Sequence, residues 1–181
     1  MSKDTAPLGK GYIHIYTGNG KGKTSAALGL ALRAAGSGCR TCIVQFMKGR
    51  HYGELDAAVL LGGLVTIEQY GHPEFCRISE TPDPGDVERA REALSRVYEL
   101  MGSGACDILV ADEIITSVLF KLVGEQDVLD VMARKPPGLE LVLTGRGATQ
   151  PMVDAADLVT EMKEVKHYYA RGVNARKGIE S

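Results

Sequence analysis

Six short apolar, β-prone runs recur along the chain, at 12–16, 41–46, 64–69, 108–111, 139–143 and 158–161, and helix-prone segments separate most of them. The run Ile108-Leu109-Val110-Ala111 shows no polar alternation. An unbroken apolar run suits a strand covered on both faces, so the pattern predicts an α/β fold: a mostly parallel, twisted sheet with helices on both faces. The clearest helix is predicted to start at Asp83, with that carboxylate as N-cap and Pro84 in the first turn. Val87, Ala90, Leu94, Val97 and Met101 then recur at helical spacing as a core-facing stripe. An alanine-rich segment at 26–35 and a segment at 126–134 are also read as helices. The second is stopped by Lys135-Pro136-Pro137-Gly138.

Composition narrows the picture. A chain of 181 residues with 44% hydrophobic content supports one well-cored domain over 1–181, with 1–10 a flexible N-terminal segment and 163–181 a basic C-terminal tail. A net charge of −2 offers no electrostatic reason to bind nucleic acid or a membrane, and favours a small-molecule substrate. No apolar run approaches the roughly 20 residues of a membrane span, and Met1-Ser2-Lys3-Asp4-Thr5 lacks the apolar core of a signal peptide, so a cytoplasmic location is expected. Of four cysteines, Cys39 and Cys42 form a C-x-x-C pair with no second pair to complete a zinc site. The pair is read as structural.

Chemistry enters at Thr17-Gly18-Asn19-Gly20-Lys21-Gly22-Lys23-Thr24-Ser25, between the first predicted strand and the alanine-rich helix. Glycines there let backbone N–H groups turn onto an anion, Lys23 supplies a point charge, and the Thr24 hydroxyl suits Mg²⁺. The chain is therefore expected to bind ATP through Gly18, Asn19, Gly20, Lys21, Gly22, Lys23, Thr24 and Ser25. The usual pattern has glycine where Thr17 stands, so this loop is expected to be shorter or differently folded.

In open parallel sheets ligands sit beyond the carboxyl ends of the strands, which draws attention to the polar residues there. Gln45 to Lys48 follow the second run, Asp112 and Glu113 the fourth, and Thr144-Gly145-Arg146-Gly147 the fifth. Asp112 and Glu113 are the expected acidic partners of Mg²⁺, with Glu113 preferred. Arg146, between glycines, is placed to reach phosphate or sugar oxygens. Lys48, Arg50, His51 and Glu54 fall in a glycine-punctuated loop that could meet a second substrate. On these residues alone a small P-loop kinase, a nucleotide-switched binding module and another kind of ATP-using enzyme remain comparable.

The ordered set Thr17 to Ser25, Val44-Gln45-Phe46-Met47-Lys48-Gly49, Gly53-Glu54, Val110-Ala111-Asp112-Glu113, Leu143-Thr144-Gly145-Arg146-Gly147, Glu164-Val165-Lys166-His167 and Lys177-Gly178-Ile179-Glu180 resembles the ATP:corrinoid adenosyltransferases over nearly its full length. The resemblance implies a RecA-like P-loop fold in a homodimer, ATP and a reduced corrinoid as co-substrates, Mg²⁺, and an electron-donor protein such as a flavodoxin. It implies transfer of the adenosyl group to Co(I) with release of triphosphate, Lys23, Thr24 and Glu113 serving catalysis. Relatives displace an axial cobalt ligand with apolar side chains after the third strand. This chain has no Trp, and Phe75 is its aromatic candidate for the corrinoid side.

Overall fold

The computed structural model describes residues 8–73 and 81–180. One six-stranded, all-parallel sheet organises them: β1 (Ile13–Thr17), β2 (Thr41–Phe46), β3 (Val65–Tyr70), β4 (Ile108–Asp112), β5 (Glu140–Thr144) and β6 (Leu158–Glu161), in the spatial order β3-β2-β4-β5-β1-β6. The helices are α1 (Lys23–Gly36), α2 (Gly53–Val59), α3 (Pro84–Ser103), α4 (Ile114–Leu119), α5 (Glu125–Ala133) and α6 (Gln150–Ala155). A 3₁₀ turn at Tyr168–Arg171 follows β6.

Both faces of the central strands β2, β4 and β5 are covered, as the unbroken apolar runs predict, whereas every residue of the edge strand β6 is exposed. Ala27, Ala31 and Ala34 of α1 and Ala58 of α2 pack on Ile43, Val110 and Val142. The other face buries Val44, Leu109 and Leu143 under Ala90 and Val97 of α3, Ile114 of α4, Val128 of α5 and Met152 of α6. Small side chains let α1 lie close to the strands, which sets its N-terminus beside the end of β1. Cys39 belongs to the first core and Cys42 packs against the second, so the two cysteines of the C-x-x-C spacing serve different layers.

The helix expected after Asp83 begins at Pro84, and the Asp83 carboxylate accepts from the N–H groups of Gly85 and Asp86. Ala90, Val97 and Met101 are buried, and Val87 and Leu94 are partly buried against the same core. The helix expected at 126–134 runs Glu125–Ala133. Three short helices were not legible. The stretch read as a loop around Glu54 contains α2, and α4 starts with β-branched Ile114, Ile115 and Thr116. Helices of one or two turns are held by packing, so a propensity reading misses them.

The strand order positions the site. β5 lies between β1 and β4, and Gln45 of β2 is in register with Asp112 of β4. The carboxyl ends of β1, β2, β4 and β5 therefore open on one region above the sheet.

Candidate active site

The glycine-rich loop passes from β1 into α1. Gly22 is the N-cap of α1 at φ 119, in the left-handed region that favours glycine. Gly18 stands at φ 98, and a Cβ there would lie 2.5 Å from the Met162 carbonyl oxygen, so the residue after β6 fixes how closely the loop is packed. Lys23 is buried at 6% exposure, and its ammonium donates to the Gly18 and Gly20 carbonyls at 2.8 and 2.9 Å. Burial holds its pKa below the ordinary lysine value; the charge of Arg146 acts in the same direction, and Glu113 and Asp112 oppose it.

Asp112 is 1% exposed and densely partnered. Its Oδ1 accepts from the Thr24 hydroxyl at 2.9 Å and from the Thr144 hydroxyl at 2.7 Å. Its Oδ2 accepts from Gln45 Nε2 at 3.2 Å and lies 2.9 Å from Lys48 Nζ. Gln45 Nε2 also reaches Glu54 Oε1 at 3.2 Å, and Gln69 donates to Gln45 Oε1 at 3.0 Å. Burial works against the Lys48 ammonium, but Asp112 and then Glu54 hold its pKa above the usual value.

Glu113 is oriented differently from its neighbour. It sits at φ 63, its N–H donates to Thr144 Oγ1 at 2.9 Å, and its carboxylate accepts from the Thr116 hydroxyl. Met47, just before Lys48, is also left-handed at φ 60. Met47 and Glu113 are thus both held, at strand ends facing this region, in a conformation that L side chains rarely adopt. Arg146 lines the same cavity, with its N–H donating to Thr116 Oγ1 at 2.8 Å.

Of these groups, Asp112 is buried behind Thr24 and Lys48, and Asn19 to Ser25, Lys48, Glu54, Glu113 and Arg146 border one cavity of about 810 Å³. An apolar wall continues it between α1 and α2, formed by Leu28, Leu32, Tyr52, Ala57, Leu61 and Ile67. Gly178, Ile179 and Glu180 close another side, where Lys21 Nζ donates to the Ile179 carbonyl at 2.7 Å and pairs with Glu180 at 3.6 Å. The segment from Lys163, which had no clear period, is thus partly site.

The structure brings together Gly18 to Ser25, Asp112, Glu113 and Arg146, and places Asp112 rather than Glu113 on the Thr24 hydroxyl. Phe75 lies outside the described residues. In the sequence, Gln45, Lys48 and Thr144 stand out only as polar residues at strand ends, and Lys48 and Glu54 as part of a loop that could meet a second substrate; none has a role there beside Asp112, and Thr116 is not singled out. Gln45 within an apolar strand and Thr144 at a strand end were the available signals, since buried polar side chains need partners.

The residues fit a magnesium ion. A hydroxyl and a carboxylate are hard oxygen donors, and a cationic ammonium already stands within 2.9 and 3.5 Å of them as a stand-in charge. Among the described residues no cluster of three or more His, Cys, Asp or Glu offers a complete metal cage, so phosphate oxygens would finish the coordination.

A parallel α/β sheet, a glycine-rich loop opening a helix with Lys-Thr, and a buried aspartate bonded to that threonine define a P-loop nucleotide-binding protein. A solved KaiC-like protein from Pyrococcus horikoshii shares this fold, with a TM-score of 0.56 at 15% identity, over 84% of this chain and 72% of that one. The family described as ATP:corrinoid adenosyltransferase BtuR/CobO/CobP matches residues 9–181. The corrinoid adenosyltransferase of Escherichia coli K12 is 31% identical over 172 residues, covering 94% of this chain and 86% of its own. That of Salmonella typhimurium is 32% identical over 177 residues, with the same coverage. The chain belongs to the ATP:corrinoid adenosyltransferase family.

Proposed function

We propose that this cavity carries out the family's reaction, transfer of the adenosyl group of ATP to a reduced corrinoid in cobalamin biosynthesis, and that Lys23, Thr24, Asp112 and Arg146 do its electrostatic work. The observation that carries the assignment of roles is the phosphate loop lining the cavity while its Thr24 hydroxyl donates to Asp112, buried directly behind it. The kinase and nucleotide-switch readings are not favoured by the family to which the chain belongs.

Co(I) is itself the nucleophile: its electron pair forms the cobalt–carbon bond at ribose C5′ as the C5′–O bond breaks, and triphosphate leaves with that bond's electrons. No side chain has to attack or remove a proton. The protein's task is to align the two substrates and to stabilise charge on the leaving triphosphate. Lys23 and the loop N–H groups meet the phosphates, Arg146 adds a forked donor, and Lys21 a further charge. Thr24 and Asp112 would hold Mg²⁺, which neutralises triphosphate charge when bound, with Glu113 next to them. The apolar wall between α1 and α2 gives a ring system a surface away from water. Phe75 on the corrinoid side, a homodimer and a flavodoxin-like electron donor complete the proposal.

The test is anaerobic incubation with MgATP and chemically reduced cob(I)alamin, following the corrinoid spectrum and assaying triphosphate. Light-sensitive adenosylcobalamin with one triphosphate per turnover is expected. ADP as the nucleotide product would sink the reading.

A further inference from the structure

Lys48 stands where a metal ion would be expected. Its Nζ lies 2.9 Å from Asp112 Oδ2, 3.5 Å from Thr24 Oγ1 and 3.7 Å from Glu54 Oε1, and 5.4 Å from the centre of the Tyr52 ring. The left-handed turn at Met47 brings the side chain back over the end of β2 instead of continuing the strand. The Thr24 hydroxyl and the Asp112 carboxylate that it touches are the two groups assigned above to Mg²⁺.

We propose that Lys48 and a divalent cation compete for the oxygens of Thr24 and Asp112, so that the metal is admitted only together with the triphosphate, which takes over the displaced ammonium. Asp112 is almost fully buried, and a buried carboxylate without a counter-charge is costly, so some cation belongs there in every state of the protein. An ammonium and a divalent ion cannot both stand about 3 Å from the same carboxylate without strong mutual repulsion. Magnesium dehydrates reluctantly, and one hydroxyl with one carboxylate is a poor exchange for its water shell. Triphosphate changes both sides of the balance. It adds oxygen ligands for the metal, and it puts negative charge in the cavity that Lys48 already lines. Lys48 is then a gate on metal entry that couples magnesium to nucleotide, and keeps Asp112 paired until both arrive.

The inference rests on the assignment of Thr24 and Asp112 to the metal, and the experiment separates the two. Binding of Mn²⁺, a paramagnetic substitute for Mg²⁺, is measured by electron paramagnetic resonance on the intact protein, with and without ATP. Without ATP, Lys48→Met is expected to bind Mn²⁺ about tenfold or more tighter than wild type, because a repelling charge has gone. Lys48→Arg is expected to stay as weak as wild type, and Asp112→Asn added to Lys48→Met is expected to abolish the gain. Should Lys48→Met fail to fold in a thermal melt, Lys48→Gln, which can still donate to Asp112, is expected to show the same gain. Unchanged Mn²⁺ affinity in the folded neutral variant, or a gain that survives Asp112→Asn, overturns the competition. With ATP present, Asp112→Asn is expected to weaken Mn²⁺ binding. If it does so while Lys48→Met gains nothing without ATP, only the Lys48 inference fails. If it does not, the metal assignment fails and takes the inference with it.

Discussion

Asp112 accepts from Thr24 and Thr144 on one oxygen and meets Gln45 and Lys48 on the other. Hydrogen bonds to a buried charge are each worth about 1.5–3 kcal/mol, and loss of one leaves lone pairs unpaired in a place water does not reach. Thr144→Val, close in shape, is therefore expected to lower stability by about 1–3 kcal/mol in urea unfolding. It also frees the Glu113 N–H, which Thr144 Oγ1 accepts, so it should weaken MgATP binding as well. Lys23→Ala removes the charge at the triphosphate and is expected to reduce the adenosylation rate by about 100-fold or more. Near-normal turnover in that variant would remove the loop from the reaction. The loop residues were legible because glycine, lysine and threonine act through local backbone geometry. Lys48 reads as a polar residue after the second strand and part of a loop that could meet a second substrate, since nothing adjacent to it in the chain names Asp112 as its partner.

At the level of elements, α3 is stapled to the edge strand β3 through Arg96 and Glu68. Arg96 Nε and Nη2 reach both carboxylate oxygens at 2.9–3.2 Å. Both side chains are 35% exposed, so water screens the pair, and Arg96→Met is expected to cost no more than about 1 kcal/mol at neutral pH. The hydrogen bond from Arg96 is the largest influence holding the Glu68 carboxyl below its usual value of 4.5, ahead of the opposing effect of burial. A carboxyl depressed in the folded state stabilises above its unfolded pKa, and that contribution disappears as pH falls through the folded one. The penalty of Arg96→Met should thus be full at pH 7 and fade as pH drops below the ordinary carboxylate range, which denaturant titrations at several pH values would show. A penalty independent of pH would mean that the arginine acts through its aliphatic packing. The long helix was legible because its stripe, Val87 to Met101, repeats over about four turns and has a proper cap. The short α2, α4 and α6 were not, because a turn or two of helix carries too little period to be read.

The whole molecule joins distant segments around the cavity. Glu180 pairs with Arg176 and with Lys21 of the phosphate loop, and accepts from the Tyr168 hydroxyl. This ties residues 168–180 to a loop some 150 positions earlier, as the 158-residue separation between Lys21 and Ile179 shows. Glu180→Gln is expected to loosen the strap, seen as faster tryptic cleavage after Arg176 and Lys177 and a weaker apparent affinity for ATP. Unchanged proteolysis would mean that the backbone contact from Lys21 to Ile179 holds the segment by itself. No helix among the described residues is long and apolar enough to cross a membrane.

Sequence by itself determined the strands, the capped helix and the phosphate loop, because each depends on neighbours within a few residues: unbroken apolar runs, helical periodicity, capping and the conformational freedom of Gly18 and Gly22. Tertiary structure decided the rest. Only the order of the strands sets β5 between β1 and β4, lets Thr144 bridge to Asp112, and brings Gln45 and Lys48 of the β2 end onto the same carboxylate. The choice of Asp112 over Glu113 as the partner of Thr24 has the same origin. Successive residues at a strand end diverge: Glu113, at φ 63, faces the cavity and accepts from Thr116, so which of two adjacent carboxylates bonds Thr24 depends on backbone direction that composition and spacing do not carry.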